Sequence, residues 1–179
     1  MLGGEEQSSW RVRPHTLHTS EPIHSRVDVA CEQLDFAIEV FFSKRSFVSA
    51  LTLGGAAEEI LGKEVGNRGG KSTLSLRHHQ LERLHARAKA LFPKGPLKAL
   101  PKYKHFAEKL NYARNAAKHI ANRNDSSQEY DPFIRANLER ESAKMILRAI
   151  HNQDLLGLPR SEMTHRFYGW HLSTIYSDE

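Results

Sequence analysis

The stretch that decides the fold is residues 26–44, RVDVACEQLDFAIEVFFSK. Apolar residues recur in it at helical spacing: Val27, Cys31, Leu34, Ile38 and Phe41. Ala30, Ala37 and Phe42 widen the same stripe. This spacing places the apolar side chains on one face of an α-helix, and such a face is buried against other helices or a sheet. The stretch therefore predicts the first helix of a packed domain.

Further segments outward from this helix show the same periodicity. The predicted helices are residues 47–63 with Ser46 as cap, about 74–92, about 102–121, about 131–154 starting at Asp131-Pro132, and a short helix over 161–170. On the third of these, about 74–92, the apolar face comprises Leu74, Leu81, Leu84, Ala88 and Leu91. No stretch alternates with period two, so we predict an all-α, single bundle of about five helices. We expect a disordered arm over residues 1–24, the bundle over 25–170 and a tail over 171–179. Gly54-Gly55 within a helix indicate that another backbone passes close by.

Length and composition favour one ordinary domain. The 179 residues suffice for a single core without metal or disulfide support. Cys31 is the only cysteine, which excludes an intrachain disulfide and a Cys-based zinc knuckle and favours a reducing cytosol. We expect no secretory signal, since residues near the start lack an apolar run, and no stretch has the length of a membrane span. The sequence thus predicts a soluble, cytoplasmic protein.

Charge is unevenly distributed along the chain. Residues 68–123 hold fourteen Lys and Arg against two Glu, a net charge of +12, while the whole chain carries +5. The remaining residues therefore sum to −7. A basic middle in an acidic frame indicates RNA or another phosphate-bearing ligand, an acidic protein partner, or a second copy of the chain. A solvated Lys/Arg surface without a partner explains the pattern equally well.

Two motifs invite functions that their spacing does not support. GNRGGKST, residues 66–73, has three residues where a phosphate-binding loop has four between its first glycine and Gly-Lys-Ser/Thr, and it lies between helices. His78, His79 and His85 are too far apart on their helix to hold one ion. We therefore predict an ordinary interhelical turn, solvated histidines, and neither a metal nor a cofactor.

The candidate site lies on the fourth predicted helix, in residues 111–119, NYARNAAKH. One helical face is predicted to carry the polar side chains Asn111, Asn115, Lys118 and Asn122, with Arg114 and His119 at its edge. Histidine can act as general acid or base, and Arg and Lys can hold a phosphate. RNA supplies its own 2′-hydroxyl nucleophile, so such a face could cleave it without a metal. The alternative is a structural face whose side chains make hydrogen bonds between helices, for example with Glu58 or Glu59.

The stretch RNAAKH, residues 114–119, resembles the Arg-x4-His motif of the HEPN superfamily of small all-α proteins. The resemblance covers about residues 25–155. It implies RNA or nucleotide binding, and in catalytic members two protomers bring their motifs together across a dimer interface. By this resemblance Arg114 and His119 are expected to be catalytic.

A closer resemblance is to a group of uncharacterised bacterial proteins with an AAEEIL helix, here residues 56–61, and a later Asn-x-x-Lys-His, here Asn115, Lys118 and His119. We infer that Glu58 or Glu59 orients or charges His119. The leading hypothesis is a dimeric protein that binds RNA or another phosphate-bearing ligand and cleaves RNA without a metal. In this hypothesis Asn111, Asn115, Lys118 and Asn122 hold the substrate. The alternative is a non-enzymatic protein-interaction module.

Overall fold

The structure is a computed structural model that describes residues 23–118 and 133–176. These residues form seven α-helices and no strand: α1 (Arg26–Phe42), α2 (Phe47–Asn67), α3 (Thr73–Leu91), α4 (Tyr103–Leu110), α5 (Tyr112–Lys118), α6 (Leu138–Leu155) and α7 (Glu162–Tyr176). The predicted all-α class is confirmed. Within the described ranges, none of the helices has the length and apolarity needed to cross a bilayer.

Side-chain caps set the starts of five helices. Ser25, Ser46, Ser72, Asn137 and Ser161 each accept a hydrogen bond from a backbone N–H three residues later, over 3.4, 3.2, 3.4, 3.0 and 3.1 Å. Each bond satisfies one of the N–H groups that a first helical turn leaves without a partner. The predicted cap at Ser46 is confirmed, whereas the helix expected from Asp131-Pro132 starts at Leu138 with Asn137 as its cap.

The core lies between α1, α2 and α6, and α7 closes one side of it. Fully buried side chains from these helices include Leu34, Ile38, Leu61, Ile146, Ile150 and Phe167. At the α1–α7 contact, the Phe41 ring lies edge-on to Phe167 and Trp170, with centroids 5.4 and 5.0 Å away. Paired aromatic rings of this geometry add specific packing to the apolar burial.

Glycines on α2 allow α6 to approach closely. A Cβ at Gly54 would lie 3.1 Å from Ile146 Cγ1 and 3.5 Å from the Ile146 backbone nitrogen. One at Gly62 would lie 3.1 Å from Asn152 Nδ2. The close approach predicted from Gly54-Gly55 is therefore confirmed at Gly54, where the neighbouring backbone belongs to α6.

The described residues form seven helices and not about five, because the fourth predicted helix is divided and the short segment expected over 161–170 is a full helix. Asn111 leaves helical geometry, with φ −103° and ψ 6°, and separates α4 from α5. Its side chain is turned to Arg148 of α6, a partner that lies far away in the sequence. The final helix continues to Tyr176 and so passes the predicted end at Trp170.

Residues 71–110, which we call the basic arm, extend away from the core and comprise α3, α4 and the segment between them. The arm begins at a hydrogen bond from the Thr73 N–H to Asn152 Oδ1, 2.8 Å long. Only Thr73, Leu74 and His78 of α3 are buried, and no residue of α4 is. Leu84 and Leu91, predicted to face the core, are 64% and 66% exposed, because no element of the described chain covers this half of α3.

Candidate functional site

The structure brings the predicted site residues of α2 and α5 together but places them in two different environments. Glu58 and Arg114 lie inside the interface between α2, α5 and α6, whereas Glu59 and Lys118 reach solvent. His119 and Asn122 lie outside the described residues. The predicted contact between Glu58 or Glu59 and His119 therefore stays a prediction.

Glu58 pairs with an arginine that the sequence had not singled out. Arg148 Nη2 lies 3.1 Å from Glu58 Oε2, and the two side chains are 3% and 7% exposed. The same Nη2 donates to Asn111 Oδ1 at 2.6 Å and lies 3.1 Å from Met145 Sδ. Burial lowers the pKa of Arg148 from its usual value, and the charge of Glu58 acts in the opposite direction. The pair is thus a buried charge pair that one amide helps to satisfy.

Arg114 attaches α5 to the same place. Its Nη1 lies 3.7 Å from Glu58 Oε2 and 3.7 Å from Glu59 Oε2, and it donates to the Gly55 carbonyl at 3.3 Å. The side chain is only 12% exposed. Gly55 makes room for it, since a Cβ there would lie 3.0 Å from Arg114 Cγ and closer still to Cδ. Arg114, predicted as catalytic, is held by protein groups and joins helices.

We call Glu58, Arg114, Arg148 and Asn111 the buried network. Its Nε atoms at Arg114 and Arg148 are buried without a hydrogen-bond partner in the described part of the chain. Two arginines thus share one buried carboxylate, and the partly exposed Glu59 adds the second negative charge. This arrangement balances the charges and leaves little guanidinium surface for a ligand.

Glu59, Asn115 and Lys118 form the accessible rim above the buried network. A 2.8 Å hydrogen bond from Lys63 lowers the pKa of Glu59, and the charges of Arg114 and Lys118 add to the effect. Asn115 Oδ1 accepts a long 3.5 Å hydrogen bond from Arg114, and Lys118 is exposed. Of the predicted substrate-binding residues, Lys118 and Asn115 are accessible, whereas Asn111 serves the buried network.

The basic arm carries the larger charged surface. Nine exposed cationic side chains lie on it: Lys71, Arg83, Arg87, Lys89, Lys94, Lys98, Lys102, Lys104 and Lys109. In the region that the structure covers, none of them forms an ion pair with a carboxylate. Glu82 and Glu108, the only carboxylates of the arm, lie instead beside His78, His79 and His105 at 3.3 to 3.6 Å. The carboxylates of the described residues therefore leave the positive charge of the arm without ion pairs.

Two histidines of α3 hold the segment that precedes α4 against α3. His78, predicted as solvated, is buried: its Nε2 lies 3.1 Å from the Pro101 carbonyl, and its ring packs against Tyr103 and Phe106. His85 Nε2 lies 3.0 Å from the Lys98 carbonyl. Both contacts hold the segment before α4 against α3. Among the residues described, no group of three or more His, Cys, Asp and Glu side chains is arranged to hold a metal ion.

Comparison with protein-family models found no match, and comparisons with curated proteins and with solved structures found none either.

Arg148 and Asn152 are the site residues that the sequence analysis missed. Both lie on the apolar face of α6, among Met145, Ile146 and Ala149. A charged or amide residue at a core position is uncommon unless it is paired. That signal was present in the sequence, but the partners Glu58 and Asn111 could not be read from it.

Proposed function

We propose that this protein binds single-stranded RNA through the basic arm. The observation that carries the proposal is the set of nine exposed Lys and Arg side chains without a carboxylate partner in the described residues. Phosphate groups are the common partner of such a surface, because each contact releases counterions from the nucleic acid. Binding of this kind needs no enclosed pocket, and the extended, weakly buried arm suits it.

Exposed aromatic rings favour a single-stranded ligand over a duplex. Phe92 and Tyr103 are 65% and 43% exposed on the arm, and Tyr112 is 50% exposed where α5 begins. Unpaired bases stack on such rings, whereas bases within a duplex are already stacked on one another. Proteins bind single-stranded RNA with cations that contact the phosphates and accessible rings that stack on the bases, and the arm carries both.

The buried network has a supporting role in this proposal. Arg114 joins α5 to α2, and α4 and α5 are separated only by Asn111. Holding α5 therefore fixes the end of the arm opposite to its attachment at Thr73. Asn152 fixes that first attachment.

The test is a salt titration of binding to a fluorescently labelled single-stranded RNA, followed by anisotropy. For single strands, the logarithm of the association constant falls with the logarithm of salt by about 0.7 for each phosphate contacted. The variant Arg83→Gln/Arg87→Gln/Lys89→Gln should bind more weakly and with a slope smaller by up to about 2. Lys44→Gln/Arg45→Gln removes two exposed cations outside the arm and should bind like the wild type.

An acidic protein partner is the competing interpretation of the basic arm. Polyglutamate of matched charge offers carboxylates without bases, so it should compete poorly with the RNA. Competition as strong as that of unlabelled RNA, or an equal loss of binding in both variants, would contradict the RNA proposal.

A second candidate function, RNA cleavage, rests on the accessible rim. Lys118 is exposed, and its charge acts on Glu59. His119, the candidate acid or base, directly follows Lys118 in the sequence. In this mechanism the base removes the 2′-hydroxyl proton, the oxygen attacks phosphorus, and an acid protonates the departing 5′-oxygen. Asn115 would position the substrate, and Arg114 would act by holding α5 in place.

The cleavage experiment incubates the protein with RNA in EDTA beside His119→Ala. Loss of cleavage in the variant supports this candidate, and absent or equal cleavage contradicts it. If the active site combines the motifs of two protomers, as in the HEPN superfamily that the motif resembles, only the dimer is active. Activity should then rise more steeply than protein concentration below the dissociation constant of the dimer. Light scattering across the same concentrations measures the oligomeric state.

A further inference from the structure

A cleft separate from the basic arm's exposed face lies between the first half of α3 and the end of α6. It has a volume of about 470 Å³ and is lined by Thr73, Leu76, Arg77, Gln80, His151, Asp154 and Leu155. This volume is within the range of pockets that hold small organic molecules. None of these residues takes part in the RNA contacts proposed above.

Arg77 is a charged group of the cleft without a partner among the described residues. It is half-buried, and no hydrogen bond or ion pair reaches its guanidinium from the described residues. Its charge is close enough to lower the pKa values of both Arg148 and His151. A half-buried guanidinium among other basic groups favours the arrival of an anion, which it can bind with two parallel hydrogen bonds.

Asp154, the carboxylate of the cleft, is already paired with Arg160. Arg160 donates from Nε and Nη2 to the two oxygens of Asp154, at 2.8 and 2.7 Å. The guanidinium of Arg160 also lies over the Tyr168 ring, 4.3 Å from its centroid. Asp154 is therefore not available to neutralise Arg77, and the cleft keeps an excess of positive charge.

His151 and two leucines complete the lining. Burial lowers the pKa of His151, and the charges of Arg77 and Arg160 lower it further while Asp154 opposes them. The ring is packed edge-on to Tyr168, with centroids 6.3 Å apart, so it is oriented before any ligand binds. A neutral imidazole offers one hydrogen-bond donor and one acceptor, and Leu76 and Leu155 offer apolar surface.

Hydrogen bonds join the two walls of the cleft near Thr73. The Thr73 N–H donates to Asn152 Oδ1 at 2.8 Å, and Asn152 Nδ2 donates to the Glu58 carbonyl at 3.2 Å. Asn152 is completely buried. The two walls are therefore joined through α2 as well as directly, which keeps the spacing of Arg77 and His151 fixed.

We propose that this cleft binds a small organic anion, with a carboxylate or phosphate monoester on Arg77 and an apolar body between Leu76 and Leu155. His151 hydrogen-bonds to the anionic group and selects its orientation. The ligand is small because the cleft holds only about 470 Å³, and it needs an apolar part because leucines line the two walls.

Saturation-transfer NMR with four probes tests this site. Benzoate and phenyl phosphate carry the required anion on an apolar ring, and benzamide and phenol are their neutral counterparts. Both anions should bind the full chain and shift the His151 ring resonances, whereas the neutral probes should bind at least about tenfold more weakly. The tighter of the two anions identifies the preferred head group.

Arg77→Gln should weaken binding of both anions by at least about tenfold, whereas Arg45→Gln, which removes an exposed arginine between α1 and α2, should leave it unchanged. Circular dichroism checks that both variants fold, and the His151 shifts in the wild type test the site without any substitution. The proposal is overturned if neither anion binds, if the neutral probes bind equally well, or if folded Arg77→Gln binds like the wild type.

Discussion

Arg148 Nη2 lies 3.1 Å from Glu58 Oε2 in a position where both side chains are almost inaccessible to solvent. This contact joins α6 to α2, and the same carboxylate attracts Arg114 of α5. Ala113 is the only buried residue of α5. Charge and hydrogen bonding therefore join α5 to the bundle beside the small apolar contact of Ala113 with Leu51 and Met145.

Glu58→Gln should destabilise the fold strongly. The change leaves Arg148 buried without its countercharge and beside the like charge of Arg114, a loss that typically costs about 3 to 5 kcal/mol. Urea unfolding measures it. Glu59→Gln is the control, because that side chain is 43% exposed and its loss should cost about 1 kcal/mol or less. Equal effects of the two substitutions would contradict the buried pairing.

Gly55→Ala and Gly66→Ala should change stability in opposite directions. A methyl group at Gly55 would press on Arg114 and move its guanidinium from the carboxylates, at a cost of about 1 to 3 kcal/mol. At Gly66, also in α2, nothing lies within 4 Å of the added carbon. There alanine should stabilise the helix by about 0.5 to 1 kcal/mol. Thermal unfolding of both variants is the measurement, and a loss of stability in Gly66→Ala would be the unexpected result.

The fold should lose stability at mildly acidic pH, in part through His151. Burial holds the pKa of His151 below its ordinary value of 6.5 in the folded chain. The unfolded chain therefore binds this proton at a higher pH than the folded chain does. The part of the unfolding free energy that depends on His151 is thus fully present above about pH 6.5 and is lost as the pH falls below it. The free energy of unfolding of His151→Gln should decline less between about pH 7.5 and 5.5 than that of the wild type. An equal or steeper decline would refute the expectation.

Cys31 should react slowly with thiol reagents. Burial raises its pKa, and the negative charges of Asp35 and Asp28 raise it further, so less of the reactive thiolate is present. With Ellman's reagent at pH 8, we expect a rate severalfold below that of free cysteine, and a rate close to that of free cysteine in concentrated urea. The signal is unambiguous because the chain has one cysteine. A native rate equal to the unfolded rate would contradict the raised pKa.

The parts of the fold that the sequence predicted are those set by local periodicity. The apolar stripe of α1 and the serine cap of α2 depend on residues within one or two helical turns of each other. Their spacing can therefore be read directly from the amino-acid sequence. The apolar face expected on α3 was wrong at Leu84 and Leu91, since periodicity shows that a helix has an apolar side but not whether another element covers it.

The candidate site was less predictable because its contacts are long-range. Asn111, Arg114 and Lys118 are close in the sequence, and a helical wheel treats them as one accessible face. Arg148, which follows 90 residues after Glu58, decides that Glu58, Arg114 and Asn111 are turned inward. Only packing reveals which polar side chains of a helix have buried partners.

Asn152 connects the basic arm to α2. Its amide oxygen accepts a hydrogen bond from the Thr73 N–H at the start of α3, and its amide nitrogen donates to the Glu58 carbonyl. The arm is therefore held at both ends, by Asn152 at its start and by Arg114 of α5 at its finish, and both contacts reach residues 55–59 of α2. A ligand that moves the arm relative to the bundle would therefore act on this one turn of α2 from both ends.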